Sequence, residues 1–285
     1  MSDPFEQVPP PAPSGRFAEL PSSLAKQARF ETLARAETEG IPALLAHPDW
    51  QTPAPTVLWM HGRTVRKELD PGRYLRWVRA GIAAVAVDLP GHGERFDPLL
   101  QKPDNTLRVV EQMLSEVDHV VNALRDPKWG GVFDLSRLAI GGMSAGGMVT
   151  LRRLGEPHPF RAAAVESTAG DFSLMPMYDS RYPRDLVERL DPIRRVDQWR
   201  VIPLLALHSE ADEWVPVQAI RNLFDALRAR YAAAGADPDD LLTLRTWERT
   251  GAPAEHAGFG KVANDAKNAQ VEFLVRWLGP APRGG

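Results

Sequence analysis

Short, continuously apolar runs alternate along the chain with longer amphipathic segments. The runs are "PTVLWMHG" (Pro55–Gly62), "IAAVAVDLPG" (Ile82–Gly91), "RLAIGGM" (Arg137–Met143), "RAAAVEST" (Arg161–Thr168), "VIPLLALHS" (Val201–Ser209) and "LLTLRTWE" (Leu241–Glu248). Most are apolar at successive positions rather than at every second one, which predicts strands covered on both faces. Ahead of them, "RFETLARAETEGIPALLAHP" alternates and carries a turn signal at Glu39-Gly40, which predicts a hairpin. Between the runs the apolar spacing becomes helical. Val110, Met113, Leu114, Val117, Val120, Val121 and Leu124 form one stripe within Thr106–Arg125. Ile220, Leu223, Phe224 and Leu227 form a second; Ala266, Ala269, Phe273, Trp277 and Leu278 form a third.

Strand alternating with helix requires crossover connections, hence an α/β fold with a mostly parallel sheet and helices on both faces. Residues 171–200 interrupt the rhythm with a polar, proline-containing, partly helical stretch, expected as a small insertion over one end of the sheet. The opening "MSDPFEQVPPPAPSG" is rich in proline and poor in large apolar residues. It predicts an extended or partly disordered N-terminal segment over residues 1–28, followed by one domain over 29–285. In an open parallel sheet, ligands bind in the crevice at the carboxyl ends of the strands. The residues just past the apolar runs are therefore the candidates for function.

Composition narrows the chemistry. The 285 residues contain no cysteine, which excludes a disulfide framework, a thiolate metal site and a cysteine nucleophile. The net charge of -3, with charges well mixed, gives no reason to expect a nucleic-acid or anionic-membrane partner. No apolar run is long enough to span a membrane and no secretory signal is visible, so the expectation is a soluble cytoplasmic protein. No group of side chains stands at metal-ligand spacing, and no cofactor is expected.

The densest signal is "LAIGGMSAGGMV", an apolar run entering four glycines around one serine. Gly142-Met143-Ser144-Ala145-Gly146 fits G-x-S-x-G at a strand–turn–helix junction, the context in which that motif presents a nucleophile. The turn brings the residues two before and two after the serine so close that side chains there would clash. A serine hydroxyl needs a base, and the base an orienting acid. "LLALHSEADEWVP" supplies Asp212 beyond a buried strand, with Glu210, Glu213 and Asp171 as rivals. "ERTGAPAEHAGFGKV" places His256, downstream of Asp212, in a loop after the last strand.

The order Ser144…Asp212…His256, with "GGMSAGG", "WMHGR", "VDLPGHGER" and "LHSEADEWVP", resembles the α/β-hydrolase superfamily. Within it the chain is similar to the single-domain branch of dienelactone hydrolases, acetyl xylan esterases and prolyl-oligopeptidase-type catalytic domains. The resemblance spans roughly residues 29–278. It implies a three-layer fold with a mostly parallel eight-stranded sheet and the insertion after the sixth strand. It also implies an oxyanion hole formed by the backbone N–H groups of Ala145 and Arg63. Two departures stand out: Ser209 replaces a usual glycine, and Ser144 replaces the cysteine of dienelactone hydrolases proper.

The resulting expectation is a serine hydrolase acting on small-molecule carboxylic esters. Met143, Phe172, Met175 and Trp214, with Met177 and Tyr178, are candidate pocket walls. Arg63, Arg66 and Lys67 are either anion-recognising or a solvated basic loop; His61 is expected to brace its loop, and Asp88, His92 and Arg95 to fix a turn. A peptidase or amidase is the alternative enzyme, and a ligand-binding member without turnover the alternative class.

Overall fold

The computed structural model describes residues 20–34, 40–176, 178 and 180–279. Eight strands form one sheet: β1 Ala28–Leu33, β2 Ile41–Ala46, β3 Ala54–Met60, β4 Ala83–Val87, β5 Phe133–Met143, β6 Ala162–Glu166, β7 Leu204–Ser209 and β8 Leu242–Trp247. The helices are α1 Ser22–Ala25, α2 Pro71–Arg79, α3 Thr106–Ala123, α4 Ala145–Arg153, α5 Arg184–Leu190, α6 Val217–Ala233, α7 Pro238–Leu241 and α8 Ala263–Leu278. The strand order is β1-β2-β4-β3-β5-β6-β7-β8. β2 runs antiparallel to both its neighbours, and every pair from β4 to β8 is parallel.

The order explains where a site can form. From β3 the chain steps outward to β4, then crosses back over β3 to start β5, and from there proceeds the other way. β3 and β5 are thus adjacent strands whose connections leave in opposite directions, the arrangement that opens a crevice at their carboxyl ends. Their register pairs Met60 with Gly142, so the loop after β3 emerges beside the turn after β5.

Two apolar layers cover the sheet. On one face α1, α2 and α8 bury Leu24, Trp77 and Leu274 against Val57, Trp59 and Ala84. On the other, α3, α4, α5 and α6 bury Val117, Leu151, Leu186 and Leu223 against Leu58, Ile140 and Val165. Trp59 and Trp77 meet edge-on with ring centroids 5.6 Å apart, a geometry worth about 1 kcal/mol beyond the area it buries.

Several expectations need correction. Residues 1–19 lie outside the described residues, but residues 20–28 are not an extended tail. Leu20 and Leu24 are buried, and Ala28 opens β1. The hairpin forms from β1 and β2; of its expected turn, Glu39 lies outside the described residues and Gly40 adopts φ 82°. The run Ile82–Gly91 leaves the sheet after Val87, because Asp88 turns inward to accept the Lys67 and Glu94 backbone N–H groups. In α8, Ala269 and Trp277 are only half-buried, while Leu274 and the polar Gln270 are buried. The helix is rotated to bring Gln270 to a buried ion pair described below. The insertion expected at 171–200 does lie between β6 and β7, but part of it enters the core: Tyr182, Leu186, Val187, Leu190 and Trp199 are buried with α3, α4 and α6.

Burial of His92 makes stability depend on pH. Its ring is fully enclosed, its Nδ1–H donates to the Pro90 carbonyl at 2.8 Å, and burial, followed by the neighbouring His61 ring, pushes it down to about 3. Below its ordinary value near 6.5 the unfolded chain takes up a proton that the folded chain refuses. The stability His92 contributes is therefore present above that value and lost as pH falls. Asp191, pushed up to about 6 by burial, titrates in the opposite sense over part of the same range. Comparison with His92→Gln isolates the histidine. In denaturant titrations between pH 7 and pH 5, the wild type should lose about 2 kcal/mol more than the variant. Parallel losses in the two would refute the assignment.

Candidate active site

Ser144 sits between β5 and α4 at φ 50°, ψ -116°, a conformation L-residues rarely adopt. Such strain costs about 1–3 kcal/mol and persists only when the surroundings impose it. Here the Ser144 N–H donates to the Glu166 carbonyl at 2.9 Å, and the Thr168 hydroxyl donates to the Ser144 carbonyl at 2.8 Å. The glycines are required by contact. A Cβ on Gly142 would run into the Gly146 backbone, and one on Gly146 would run into the Met60 and His61 carbonyls. The turn is pressed against the end of β3 as well as against itself.

The loops after β7 and β8 bring the other two candidates to the serine. Ser144 Oγ lies 3.0 Å from His256 Nε2, and His256 Nδ1 lies 2.9 Å and 3.1 Å from the two Asp212 oxygens. With Nδ1–H donating to Asp212, Nε2 is left to accept the serine proton. Both contacts fall within the reach that proton transfer needs. Burial alone would raise Asp212, but hydrogen bonds from His208 and His256 outweigh it and hold the carboxyl down to about 2. The Trp214 and Val215 N–H groups also donate to it, at 2.9 and 2.8 Å. Trp214 lies against the imidazole, ring centroids 4.9 Å apart.

The rival acids point elsewhere. Glu210 pairs with Arg221, Asp171 accepts from Ser173 and Asn222, and Glu213 is exposed at the cavity rim. Gly62 lies against the serine: a Cβ there would sit 3.4 Å from Ser144 Cβ. The Gly62–Arg63 peptide therefore starts beside Ser144, and Ala145 is the first residue of α4. N–H groups at a helix start lack intrahelical partners and face anions favourably.

Ser144 and His256 open into a cavity of about 970 Å³. Met143, Met175 and Trp214 line it. Phe172 does not; its short helical turn, fixed by its N–H donating to Asp191, directs the ring into the core. Tyr178 packs against the core and Met177 lies outside the described residues. Trp59, Met148, Tyr182 and Phe259 are further lining groups, and the walls are mostly apolar. Lys67 is buried and bonded to Asp88 and Glu94 at 2.7 Å each, so it cannot greet a substrate. Arg63 reaches Thr106 at 2.9 Å, and Arg66 pairs with Glu68. His61 spans the loop as expected of a brace, donating to the Gly62 carbonyl and accepting from the Leu89 N–H.

Two arrangements escaped the sequence reading. Arg73 on α2 lies buried in a fork with Glu166, 2.8 Å through Nη2, joined by Gln270 and capped by the Trp59 ring at 4.2 Å. The available signals were a lone glutamate ending an apolar strand and polar residues on otherwise apolar helix faces. The second is Glu255, directly before His256, whose carboxylate is buried and surrounded by donors.

The fold and this constellation define an α/β-hydrolase. Residues 73–280 match the prolyl oligopeptidase family, and the chain belongs to that family. It is 26% identical over 229 residues to Esterase YjfP of Escherichia coli strain K12, covering 74% of this chain and 88% of that protein. TT1662 from Thermus thermophilus superposes with a TM-score of 0.67 at 23% identity, over 88% of this chain and 98% of its own. A puromycin-hydrolysing peptidase of Mycobacterium tuberculosis superposes at 0.68 and 22% identity, over 90% of this chain and 40% of its own. Family and relative together make the protein a hydrolase.

The crowding at the turn has a direct test. Gly146→Ala should cost about 2 kcal/mol or more, since backbone rather than a flexible side chain must yield. Chemical denaturation measures this; a wild-type midpoint would show that the turn has room to spare.

Proposed function

We propose that the protein is a serine carboxylesterase acting through an acyl-enzyme, with Ser144 as nucleophile, His256 as general base and acid, and Asp212 as the orienting carboxylate. The observation that carries this reading is the unbroken hydrogen-bond chain from Ser144 Oγ through His256 to Asp212, mounted on a strained turn at the mouth of a cavity.

Ser144 Oγ attacks the ester carbonyl carbon as His256 Nε2 takes the hydroxyl proton. The carbonyl electron pair moves onto oxygen, where the Ala145 and Arg63 N–H groups would receive it. Losing one such donor typically costs about 3 kcal/mol of barrier. Collapse of the tetrahedral species breaks the bond to the alcohol oxygen, which leaves with the His256 proton. Water then attacks the acyl-serine with His256 again as base, and collapse frees the acid and restores the Ser144 proton. Asp212, ionised far below neutrality, orients the imidazole and stabilises its cation. The steps use only side chains, backbone and water; the reading has the enzyme act in the cytoplasm on a small soluble ester.

A second reading, cleavage of peptide amides, is favoured by the family and by a cavity larger than a short acyl group needs. The deciding experiment compares p-nitrophenyl esters from acetate to decanoate with peptide p-nitroanilides, in wild type and Ser144→Ala. Ester turnover confined to the wild type is expected; turnover of the anilides alone would move the assignment to peptidase. Asp212→Asn should lower kcat by about 10³–10⁴-fold. Near-normal kcat in that variant would remove Asp212 from the mechanism.

A further inference from the structure

The loop carrying His256 is held in a conformation its own residues disfavour. Ala254 and Glu255, neither of them glycine, both stand in the left-handed region, at φ 51° and 52°. Two adjacent residues of this kind relax unless bonds to their surroundings prevent it. The Glu255 carboxylate is what prevents it. One oxygen accepts the Ser209 hydroxyl at 2.9 Å, the Thr250 N–H at 2.6 Å and the Thr250 hydroxyl at 2.8 Å; the other accepts the Gly251 N–H at 3.0 Å. The group is buried, and these donors, with the Thr250 backbone foremost, bring it down to about 2, so it carries its charge throughout the range in which a histidine base works.

One of those four bonds differs in kind from the rest. Thr250 and Gly251 belong to the same loop as Glu255, and their bonds close that loop on itself. Ser209 does not. It is the last residue of β7, three positions before Asp212, and its hydroxyl is fully buried. The Ser209–Glu255 bond therefore ties the strand that carries the acid to the residue preceding the base. A backbone bond reinforces it nearby, from the Glu213 N–H to the Ala254 carbonyl at 3.1 Å.

We propose that Glu255, Ser209 and Thr250 form a carboxylate latch that positions His256 between Ser144 and Asp212. These are positioning residues: nothing places them in contact with substrate, and they act through the imidazole. The proposal rests on the triad reading above. It also gives Ser209 a purpose, where the family resemblance left it only as a departure at a turn. The chemistry calls for a carboxylate, because all four partners are donors. A glutamine would direct its NH₂ group at one or more of them and leave two donors facing each other.

The test measures kcat and KM on p-nitrophenyl butyrate for wild type, Glu255→Gln and Ser209→Ala, each normalised to sites titrated by a fluorophosphonate. Normalisation removes any loss that comes from unfolded protein, so a merely structural role would leave kcat per titrated site unchanged. The latch predicts that Glu255→Gln lowers kcat per site by about 100-fold, within the range attributed to a positioned base, with KM changed less than twofold. Ser209→Ala, which removes one neutral hydroxyl and leaves the loop's own bonds, should lower it by about 5-fold with the same unchanged KM. If Glu255→Gln fails to fold, the Ser209→Ala result decides alone. Wild-type kcat per site in Ser209→Ala, or in a folded Glu255→Gln, overturns the latch while leaving the triad standing. A wild type that neither labels nor turns over ester overturns the triad reading, and the latch with it.

Discussion

The candidate site depends on one strained residue. Ser144 can hold φ 50° only because β5 delivers it into a turn with no side chain at Gly142 or Gly146, pressed on the carbonyls that end β3. The crossover topology makes that pressing possible, since β3 and β5 are neighbours whose chains depart in opposite directions. The same contact sets the loop after β3 beside the serine, so Ser144 and the Gly62–Arg63 peptide are placed by one packing event. Strain of this kind is local, but its support is not: it extends through the Glu166 carbonyl into the sheet.

Glu166 links the turn to the second buried feature. Its backbone accepts from Ser144, while its side chain is forked by Arg73 and touched by Gln270, so α2, β6 and α8 meet behind the serine. An ion pair taken out of water gives little net stability even when fully bonded. Its geometric effect is clearer: three elements are fixed relative to one another within reach of the turn. On the opposite side of the cleft, His208 and the Trp214 and Val215 amides do the same for Asp212.

Much of this was legible in the chain. The apolar runs marked the strands because both sheet faces are covered, and the glycine spacing marked the turn because backbone contact leaves no alternative. What stayed hidden was polar and buried. Gln270 sits on the core face of α8, where periodicity expects an apolar residue, because its partners Arg73 and Glu166 are distant in sequence. Glu255 resembles any loop carboxylate until the strand bearing Ser209 is folded against it. Phe172 illustrates the converse error: expected as a pocket wall, it is turned inward because the Asp191 carboxylate pins its backbone. Hydrophobic pattern reports burial one residue at a time, whereas these arrangements depend on pairs.

The proposed mechanism requires Ser144 to be a nucleophile activated by His256. Treatment with a fluorophosphonate, followed by peptide mass spectrometry, tests that most directly, because an unactivated serine does not react. One adduct per chain is expected, on Ser144, formed at least 100-fold more slowly in His256→Ala. An adduct on another residue, or none at all on folded protein, would contradict it.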